Sequence, residues 1–296
     1  MRIAILCCVL LSFTAHARLR VFACEPEWQA LAGEIGGNLV AASSATNAHQ
    51  DPHYIQARPS LIARVRRADL LVCSGADLEI GWLPVLLAKA NNPRVRPGSA
   101  GYLEASNLVH RLEVPKAIDR SQGDVHPLGN PHVQTNPHNI DVIASALGER
   151  MAQLDPANAG AYRERLAAFQ TRWRSAMARW EKRGKPLAGQ HVITHHKSWA
   201  YLEDWLGLDE VANLEPLPGV PPTAGHLSAL LRQFESGGAA FIIRAPFQDP
   251  KASKWLSERT GIPAVMLPLT VGGSPAARDL FTWFDDILDR LLGAAA

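Results

Sequence analysis

DPANAGAYRERLAAFQTRWRSAMARWEKR, residues 155–183, is the stretch that decides the fold. Large apolar side chains recur along it at three- and four-residue spacing, which predicts one long helix with a single buried face; they are Tyr162, Leu166, Phe169, Trp173, Met177 and Trp180. Asp155-Pro156 is typical of a helix start and Gly184 of a helix end. At 1.5 Å per residue such a helix is about 40 Å long, the width of a domain. We interpret the aromatic face as core packing and not as a ligand platform, and the helix as a stiff connection between two halves of the chain.

The sequence on both sides of this helix alternates between strand and helix patterns. In the N-terminal half the predicted strands are 18–24, 38–42 and 69–73, and the predicted helices are 27–35, 59–67 and 78–90. A further helix is predicted at 140–154, whereas 91–114 shows no clear pattern. In the C-terminal half the predicted strands are 191–194, 211–214, 240–243 and 264–267, and the predicted helices are 198–206, 227–235, 252–259 and 276–292. Such alternation favours parallel sheets flanked by helices.

The predicted fold class is therefore α/β, with two parallel-sheet α/β lobes joined by one long rigid helix. Ligands of such folds usually lie in the cleft at the carboxyl ends of the strands. We place a signal peptide at 1–17, the N-terminal lobe at 18–139, a segment that includes the linking helix at 140–186, and the C-terminal lobe at 187–296.

Composition and the N-terminus indicate where the protein works. The 296 residues suffice for two compact lobes, and a net charge of +2 with scattered Arg residues argues against a nucleic-acid partner. Met1-Arg2, an apolar run at 3–13 and the small-x-small sequence Ala15-His16-Ala17 predict a secretory signal peptide cleaved after Ala17. No other stretch is long and apolar enough to cross a membrane. We expect a soluble, monomeric protein of the periplasm.

The cysteines leave two questions open. Cys24 and Cys73 follow the predicted signal peptide, and both end strand-like runs. An even number of cysteines in an oxidising compartment favours a disulfide, and two buried free thiols at neighbouring strand ends are the alternative. Cys7 and Cys8 lie within the predicted signal peptide, where lipoprotein attachment at one of them is the alternative to cleavage after Ala17.

Histidines on stiff loops are the chemistry-bearing residues. The segment GNPHVQTNPHN, residues 129–139, holds two Asn-Pro-His units, and Asn-Pro keeps the residue before proline out of the helical region. His132 lies in the first unit, His53 follows Asp51-Pro52, and His195-His196 end a predicted strand. Separations of 132 − 53 = 79 and 196 − 132 = 64 residues are far from zinc-finger spacing, so tertiary structure has to assemble the site. Three imidazoles suit Zn²⁺, whereas Mn²⁺ and Mg²⁺ prefer carboxylate oxygen.

These motifs resemble those of the metal-binding solute receptors of ABC importers that take up zinc and manganese. The first matching segment is Asp51-Pro52-His53 with Pro59-Ser60 at the family's offset. The second is 130–139, which keeps the Pro, His, Pro and Asn positions of Asp-Pro-His-x-Trp-Leu-Asp-Pro-x-Asn but has Asn in place of both Asp. The third is 196–201, HKSWAY, which matches His-Asp-Ala-Phe-x-Tyr. Its Tyr201, and Gly207-Leu208 after the helix, set the register on His196 instead of His195.

The resemblance covers the whole mature chain and implies a function. It implies a two-lobed periplasmic receptor, not an enzyme, that holds Zn²⁺ as its transported ligand on His53, His132 and His196. It also implies delivery to an ABC permease in the inner membrane. Manganese members have Glu as the third ligand, so His196 favours zinc. Whether manganese or copper competes, and whether a metallochaperone loads the site, stays open at this point.

The sequence departs from the family pattern at the fourth ligand. Members often have an acidic ligand after the last strands, whereas this chain has RAP at 244–246 and LPLTVGG at 267–273. Water or a carboxylate from elsewhere is then expected, and Glu25, just past the first strand, is our candidate against a plain solvent-facing or helix-capping role. The long His-rich loop of many zinc members is also missing. His49 and His126 are either a reduced form of it or ordinary loop residues.

Two alternative functions remain at this stage, and the role of one loop is open. A three-His zinc site with an open water position also suits a zinc-dependent hydrolase, which needs a general base near that water. A metal-binding adhesin on the same fold is the second, although the chain has no adhesive extension. The proline-rich stretch at 215–223 either lines the cleft, docks the permease or is a stiff connector.

Overall fold

The computed structural model describes residues 17–116, 123 and 126–295, so the predicted signal peptide lies outside the described residues except for Ala17. Two sheets of four parallel strands form the framework. The first has the order β2-β1-β3-β4, with β1 Leu19–Ala23, β2 Val40–Ser44, β3 Leu70–Cys73 and β4 Tyr102–Glu104. The second has the order β6-β5-β7-β8, with β5 His191–Thr194, β6 Asp209–Asn213, β7 Phe241–Arg244 and β8 Ala264–Met266.

Helices flank both sheets and separate them along the chain. The N-terminal lobe contains α1 Pro26–Gly36, α2 Pro59–Arg67 and α3 Leu83–Ala90, and α4 Pro137–Leu154 and α5 Ala159–Gly184 follow. The C-terminal lobe contains α6 Ala200–Leu206, α7 Ala224–Phe234, α8 Pro250–Thr260 and α9 Leu280–Ala295. The predicted α/β class, with two parallel-sheet lobes joined by a long helix, is confirmed. In the described part of the chain, none of these helices combines the length and the apolar character that a membrane crossing requires.

The linking helix α5 is built as its sequence predicts, apart from its first turn. All six residues of the apolar face are buried, and one continuous core joins them to both sheets. Trp173 packs edge-on against Phe284 of α9, and its indole N–H donates to the Pro137 carbonyl of α4 at 2.9 Å. The helical segment starts at Pro156, as predicted, but its first turn at 156–158 is 3₁₀ and runs directly into α5 at Ala159. The Asp155 carboxylate accepts a hydrogen bond from the hydroxyl of Tyr162 instead of capping backbone N–H groups.

Two further boundaries differ from prediction for local reasons. The helix predicted at 78–90 begins only at Leu83, because residues 76–82 form turns and Trp82, with φ of −141°, is the non-helical N-cap residue. Strand β4, within the segment that showed no pattern, has only three residues and pairs with β3.

A disulfide joins Cys24 to Cys73 at the carboxyl ends of β1 and β3, with a Cα–Cα distance of 4.8 Å. Both residues are fully buried. Of the two alternatives for this pair, the structure therefore has the disulfide. It ties together the central strands of the N-terminal sheet directly beneath the loops that carry the site.

Candidate metal centre

Two of the candidate ligands, His53 and His132, each lie in a local turn of the same kind. The side-chain oxygen of Asp51 accepts the backbone N–H of His53 at 3.0 Å, and that of Asn130 accepts the N–H of His132 at 3.0 Å. Proline at the middle position fixes the backbone between acceptor and donor. Replacing Asp by Asn in the second motif thus preserves the turn, because only an acceptor oxygen is needed.

Tertiary hydrogen bonds fix both turns. The indole of the buried Trp82 donates to the Pro52 carbonyl at 2.8 Å. The Tyr201 hydroxyl donates to the Asn130 carbonyl at 2.9 Å, and the Asn130 amide donates to the Lys197 carbonyl at 2.8 Å. The segment 197–201 follows His196 directly, so the second and third motifs hold each other in place across the lobes.

The structure brings His53, His132 and His196 together in the cleft. One ring nitrogen from each lies within 4.8 Å of the others. The ring centroid of His53 lies 5.6 Å from that of His132 and 5.5 Å from that of His196. The centroids of His132 and His196 are 6.3 Å apart. All three pairs are nearly edge-on, so the rings surround a common point instead of stacking.

Carboxylates orient the two outer rings. Nδ1 of His53 lies 2.7 Å from Asp51, and Nδ1 of His196 lies 2.7 Å from Glu215. A carboxylate can only accept at neutral pH, so each Nδ1 carries hydrogen and Nε2 is the ring nitrogen that can bind a metal. Burial opposes ionisation of Asp51, but the hydrogen bond and charge of His53 outweigh it and hold the pKa of Asp51 below its ordinary value.

His132 is the most buried of the three. Its side chain is 1% exposed, and neither ring nitrogen has a hydrogen-bond partner among the described residues. Burial, followed by the charges of the neighbouring imidazoles, lowers the pKa of His132 well below its ordinary value. The ring is therefore neutral at neutral pH, and a buried polar group without a partner is costly unless a ligand satisfies it.

A fourth histidine, His126, approaches the cluster beside His53 but lies outside the group of three whose ring nitrogens are all within 4.8 Å of one another. Its Nε2 lies 3.3 Å from Nε2 of His53, and the ring centroids are 5.3 Å apart. Sequence analysis left His126 between a metal-collecting and an ordinary loop role. The available signal was its position six residues before His132, in the loop that leads into the second motif.

Glu25 does not join the histidines. Its carboxylate is buried at the carboxyl ends of β1 and β3, where it accepts the Ser74 hydroxyl at 3.0 Å. Burial first, and then the negative charges of Glu79 and Glu27, raise the pKa of Glu25 well above its ordinary value. The prediction of Glu25 as fourth ligand is therefore corrected: the disulfide at Cys24 and the hydrogen bonds at Ser74 hold the side chain away from the cluster.

The remaining histidines have other surroundings. His195 is 6% exposed but lies outside the three-residue group, as the register on His196 predicts. His138 pairs with Glu181 at the surface, His226 contacts the Asn213 carbonyl, and His191 contacts the Gly238 carbonyl.

The cluster is suited to holding a cation with nitrogen ligands. Both carboxylates nearest the rings, Asp51 and Glu215, already accept hydrogen bonds from imidazole Nδ1. A hydrolase would need one of them as a general base toward a metal-bound water. The arrangement therefore favours binding over hydrolysis.

Known proteins resemble this chain in sequence and in fold. The family model described as "Zinc-uptake complex component A periplasmic" matches residues 21–294. The high-affinity zinc uptake system protein ZnuA of Paracoccus denitrificans is 24% identical over 300 residues, which cover 87% of this chain and 86% of that protein. The manganese ABC transporter substrate-binding lipoprotein PsaA of Streptococcus pneumoniae is 21% identical over 238 residues, 77% of this chain and 72% of that protein. A crystal structure of ZnuA superposes with a TM-score of 0.78 at 23% identity, covering 95% of this chain and 100% of that one.

Proposed function

Because the chain belongs to the family of periplasmic zinc-uptake complex component A proteins, substrate-binding proteins of metal ABC transporters, we propose that it captures Zn²⁺ and delivers it to an ABC import permease. The observation that carries the proposal is the convergence of His53, His132 and His196 in the interlobe cleft. These residues are the proposed ligands, and Zn²⁺ is the cargo.

The ligand set is the reason for proposing zinc over manganese. All three converging donors are imidazoles, and the nearest carboxylates are held by Nδ1 hydrogen bonds. Mn²⁺ prefers oxygen ligands, whereas Zn²⁺ binds imidazole nitrogen in tetrahedral sites. Relatives include a manganese-binding lipoprotein, so this distinction rests on the residues of this chain.

We assign the fourth position of the shell to His126. In a tetrahedral site with Zn–N bonds of about 2.0–2.1 Å, neighbouring ligand nitrogens lie about 3.3–3.4 Å apart. The His126 and His53 Nε2 atoms are 3.3 Å apart, which is such an edge. His126 then takes the place that water or a distant carboxylate would otherwise fill.

The compartment and partners follow from the same function. We propose that residues 1–17 are a cleaved signal peptide, that the mature protein is periplasmic, and that its partner is an inner-membrane permease. Domain boundaries at 18–139, 140–186 and 187–296 fit the positions of the two sheets. The protein is then a receptor and not an enzyme.

Zinc titration of the purified mature chain tests the proposal. We expect tight, one-to-one binding at neutral pH without ester or peptide hydrolysis. His53→Ala, His132→Ala and His196→Ala should each weaken binding by at least about 100-fold, because each removes one of the metal's few protein ligands. His138→Ala is the matched control, since it changes the His of a like Asn-Pro-His turn whose ring faces Glu181 instead.

X-ray absorption at the zinc edge identifies the shell. Four nitrogen neighbours that fall to three in His126→Ala support the assigned fourth ligand. A wild-type chain that ignores zinc, or zinc-dependent hydrolysis by it, contradicts the receptor function.

A further inference from the structure

The proline-rich loop, residues 215–222, joins β6 to α7 beside the metal centre. It begins at Glu215, whose backbone N–H donates to the His195 carbonyl at 3.2 Å. A turn within it is closed by the N–H of Val220, which donates to the Leu217 carbonyl at 2.9 Å. The loop is thus anchored at the strand end that also carries His196.

One oxygen atom connects this loop to the metal centre. Glu215 Oε2 lies 2.7 Å from Nδ1 of His196 and accepts the backbone N–H of Gly219 at 2.8 Å. Gly219 has φ of 75°, which an L side chain adopts only with strain. The orientation of the imidazole and the backbone conformation at the middle of the loop therefore depend on the position of the same atom.

The loop also lies against the segment that carries His126. A Cβ atom built on Gly123 would fall 2.3 Å from the Pro218 carbonyl oxygen, so the two backbones are in direct contact. One loop therefore contacts His196, through Glu215, and also Gly123, which lies three positions before His126 in the sequence. The loop surface is accessible from outside the cleft, with Leu217 40% exposed and Val220 36% exposed.

We infer that Glu215 is a positioning residue that couples the proline-rich loop to the metal centre, so that displacement of the loop weakens zinc binding and speeds release. This inference rests on the proposed zinc-receptor function and deepens it. A carboxylate on the far ring nitrogen raises the donor strength of the ligand and fixes its orientation. If the loop moves and takes Glu215 with it, His196 loses both effects without any direct contact to the metal.

Two substitutions outside the ligand set test the coupling. Glu215→Gln keeps an acceptor of the same length but removes the charge, and Gly219→Ala strains the loop while leaving Glu215 in the chain. We expect each to weaken zinc binding and speed zinc transfer to a chelator by about 10- to 100-fold. Because both act through one oxygen, the double variant should be little worse than the more severe single variant.

The controls separate coupling from general damage. Gly237→Ala also places Ala at a positive φ, 89°, but in a site with no atom within 4 Å of the new Cβ and away from the cleft; its zinc release should equal that of the wild type. Thermal unfolding of the metal-free variants should show both test variants folded. Replacing zinc with Co²⁺ should give an altered visible spectrum in both variants, because the geometry at His196 changes.

The results that would contradict the coupling differ from those that would contradict the zinc-receptor function. Wild-type zinc release from Gly219→Ala, or fully additive effects in the double variant, overturns the coupling while the receptor function stands. Failure of the wild-type chain to bind zinc overturns the function instead.

Discussion

The two lobes have the same strand order but use equivalent positions for different chemistry. Just past the first strand of each sheet, Cys24 N–H donates to the Val72 carbonyl and His195 N–H donates to the Ile243 carbonyl, so these residues correspond. The residues that follow, Glu25 and His196, therefore correspond as well. Glu25 is buried beside the carboxylates of Glu79 and Glu27, whereas His196 lies with the imidazoles of His53 and His132.

The second strand of each lobe extends the correspondence. Thr46 N–H donates to the Cys24 carbonyl, and Glu215 N–H donates to the His195 carbonyl. The Thr46 hydroxyl also donates to the Cys24 carbonyl, whereas the Glu215 carboxylate orients His196. In the N-terminal lobe the strand end stabilises the fold and the proposed ligand comes from a loop. In the C-terminal lobe the proposed ligand lies at the strand end itself. The strand order determines which positions can form a site, and the side chains at those positions determine whether they bind a ligand or stabilise the fold.

Removing the disulfide, which lies at the strand end of the N-terminal lobe, should have the largest effect on the free energy of unfolding. Cross-linking over a separation of 49 residues stabilises a folded chain by about 4 kcal/mol through lost chain entropy in the unfolded state. We expect Cys24→Ala/Cys73→Ala to lower the free energy of unfolding by about this amount, measured by urea denaturation of the metal-free protein. A loss below about 1 kcal/mol would contradict a structural role for this strand end.

Glu79 provides the next test, through pH. Burial raises the pKa of Glu79 from 4.5 to about 7, although its hydrogen bonds oppose this. The folded chain then keeps a proton that the unfolded chain has released, so the free energy of unfolding falls as pH rises from about 4.5 to 7. A pKa raised this far contributes on the order of 3 kcal/mol to the fall in the free energy of unfolding.

Glu79→Gln should therefore flatten the decline between pH 5 and pH 8, because Gln resembles the protonated acid and still accepts from Ser74 N–H. Urea unfolding at several pH values measures this. The difference from the wild type reports Glu79 together with Glu25, because Glu79 also raises the pKa of Glu25. The pKa of His132 is lowered, so His132 reduces stability only as pH falls below about 6.5, and it does so in both proteins. Parallel pH profiles of the two proteins would argue against a protonated Glu79.

The contact between the lobes should give a smaller effect. The Thr270 hydroxyl donates to the carboxylate of Glu27 at 2.5 Å, in a buried position. Burial raises the pKa of Glu27 to about 7, and this hydrogen bond opposes the rise, so it favours the charged form. Thr270→Val should lower the free energy of unfolding by about 1–3 kcal/mol, and by more at pH 8 than at pH 6.

Thr171→Val is the matched control, because its hydroxyl bonds only its own helix at an exposed site. Equal losses in the two variants at both pH values would show that the contact between Glu27 and Thr270 has no particular role.

Sequence was sufficient where the pattern is local and insufficient where several segments meet. Helical spacing gave α5 and its buried face, and the Asx-Pro-His turns are complete within three residues. The three-residue strand β4 has too few residues to show a period. The burial of Glu25 depends on Ser74, which is 49 positions away, and the approach of His126 to His53 depends on a contact across 73 positions. Neither contact leaves a pattern in the sequence.

His195 should give the smallest effect on metal binding and the sharpest test of the correspondence between the lobes. It occupies the position of Cys24, one residue before the ligand, and burial above all lowers its pKa. Its ring lies outside the group formed by His53, His132 and His196. We expect His195→Ala to change zinc affinity by less than about threefold, under ~0.7 kcal/mol. His196→Ala in the same titration sets the scale, since it removes a proposed ligand. Equal losses for the two variants would shift the register by one residue, and Glu25 would then correspond to a residue that follows the ligand instead of to the ligand itself.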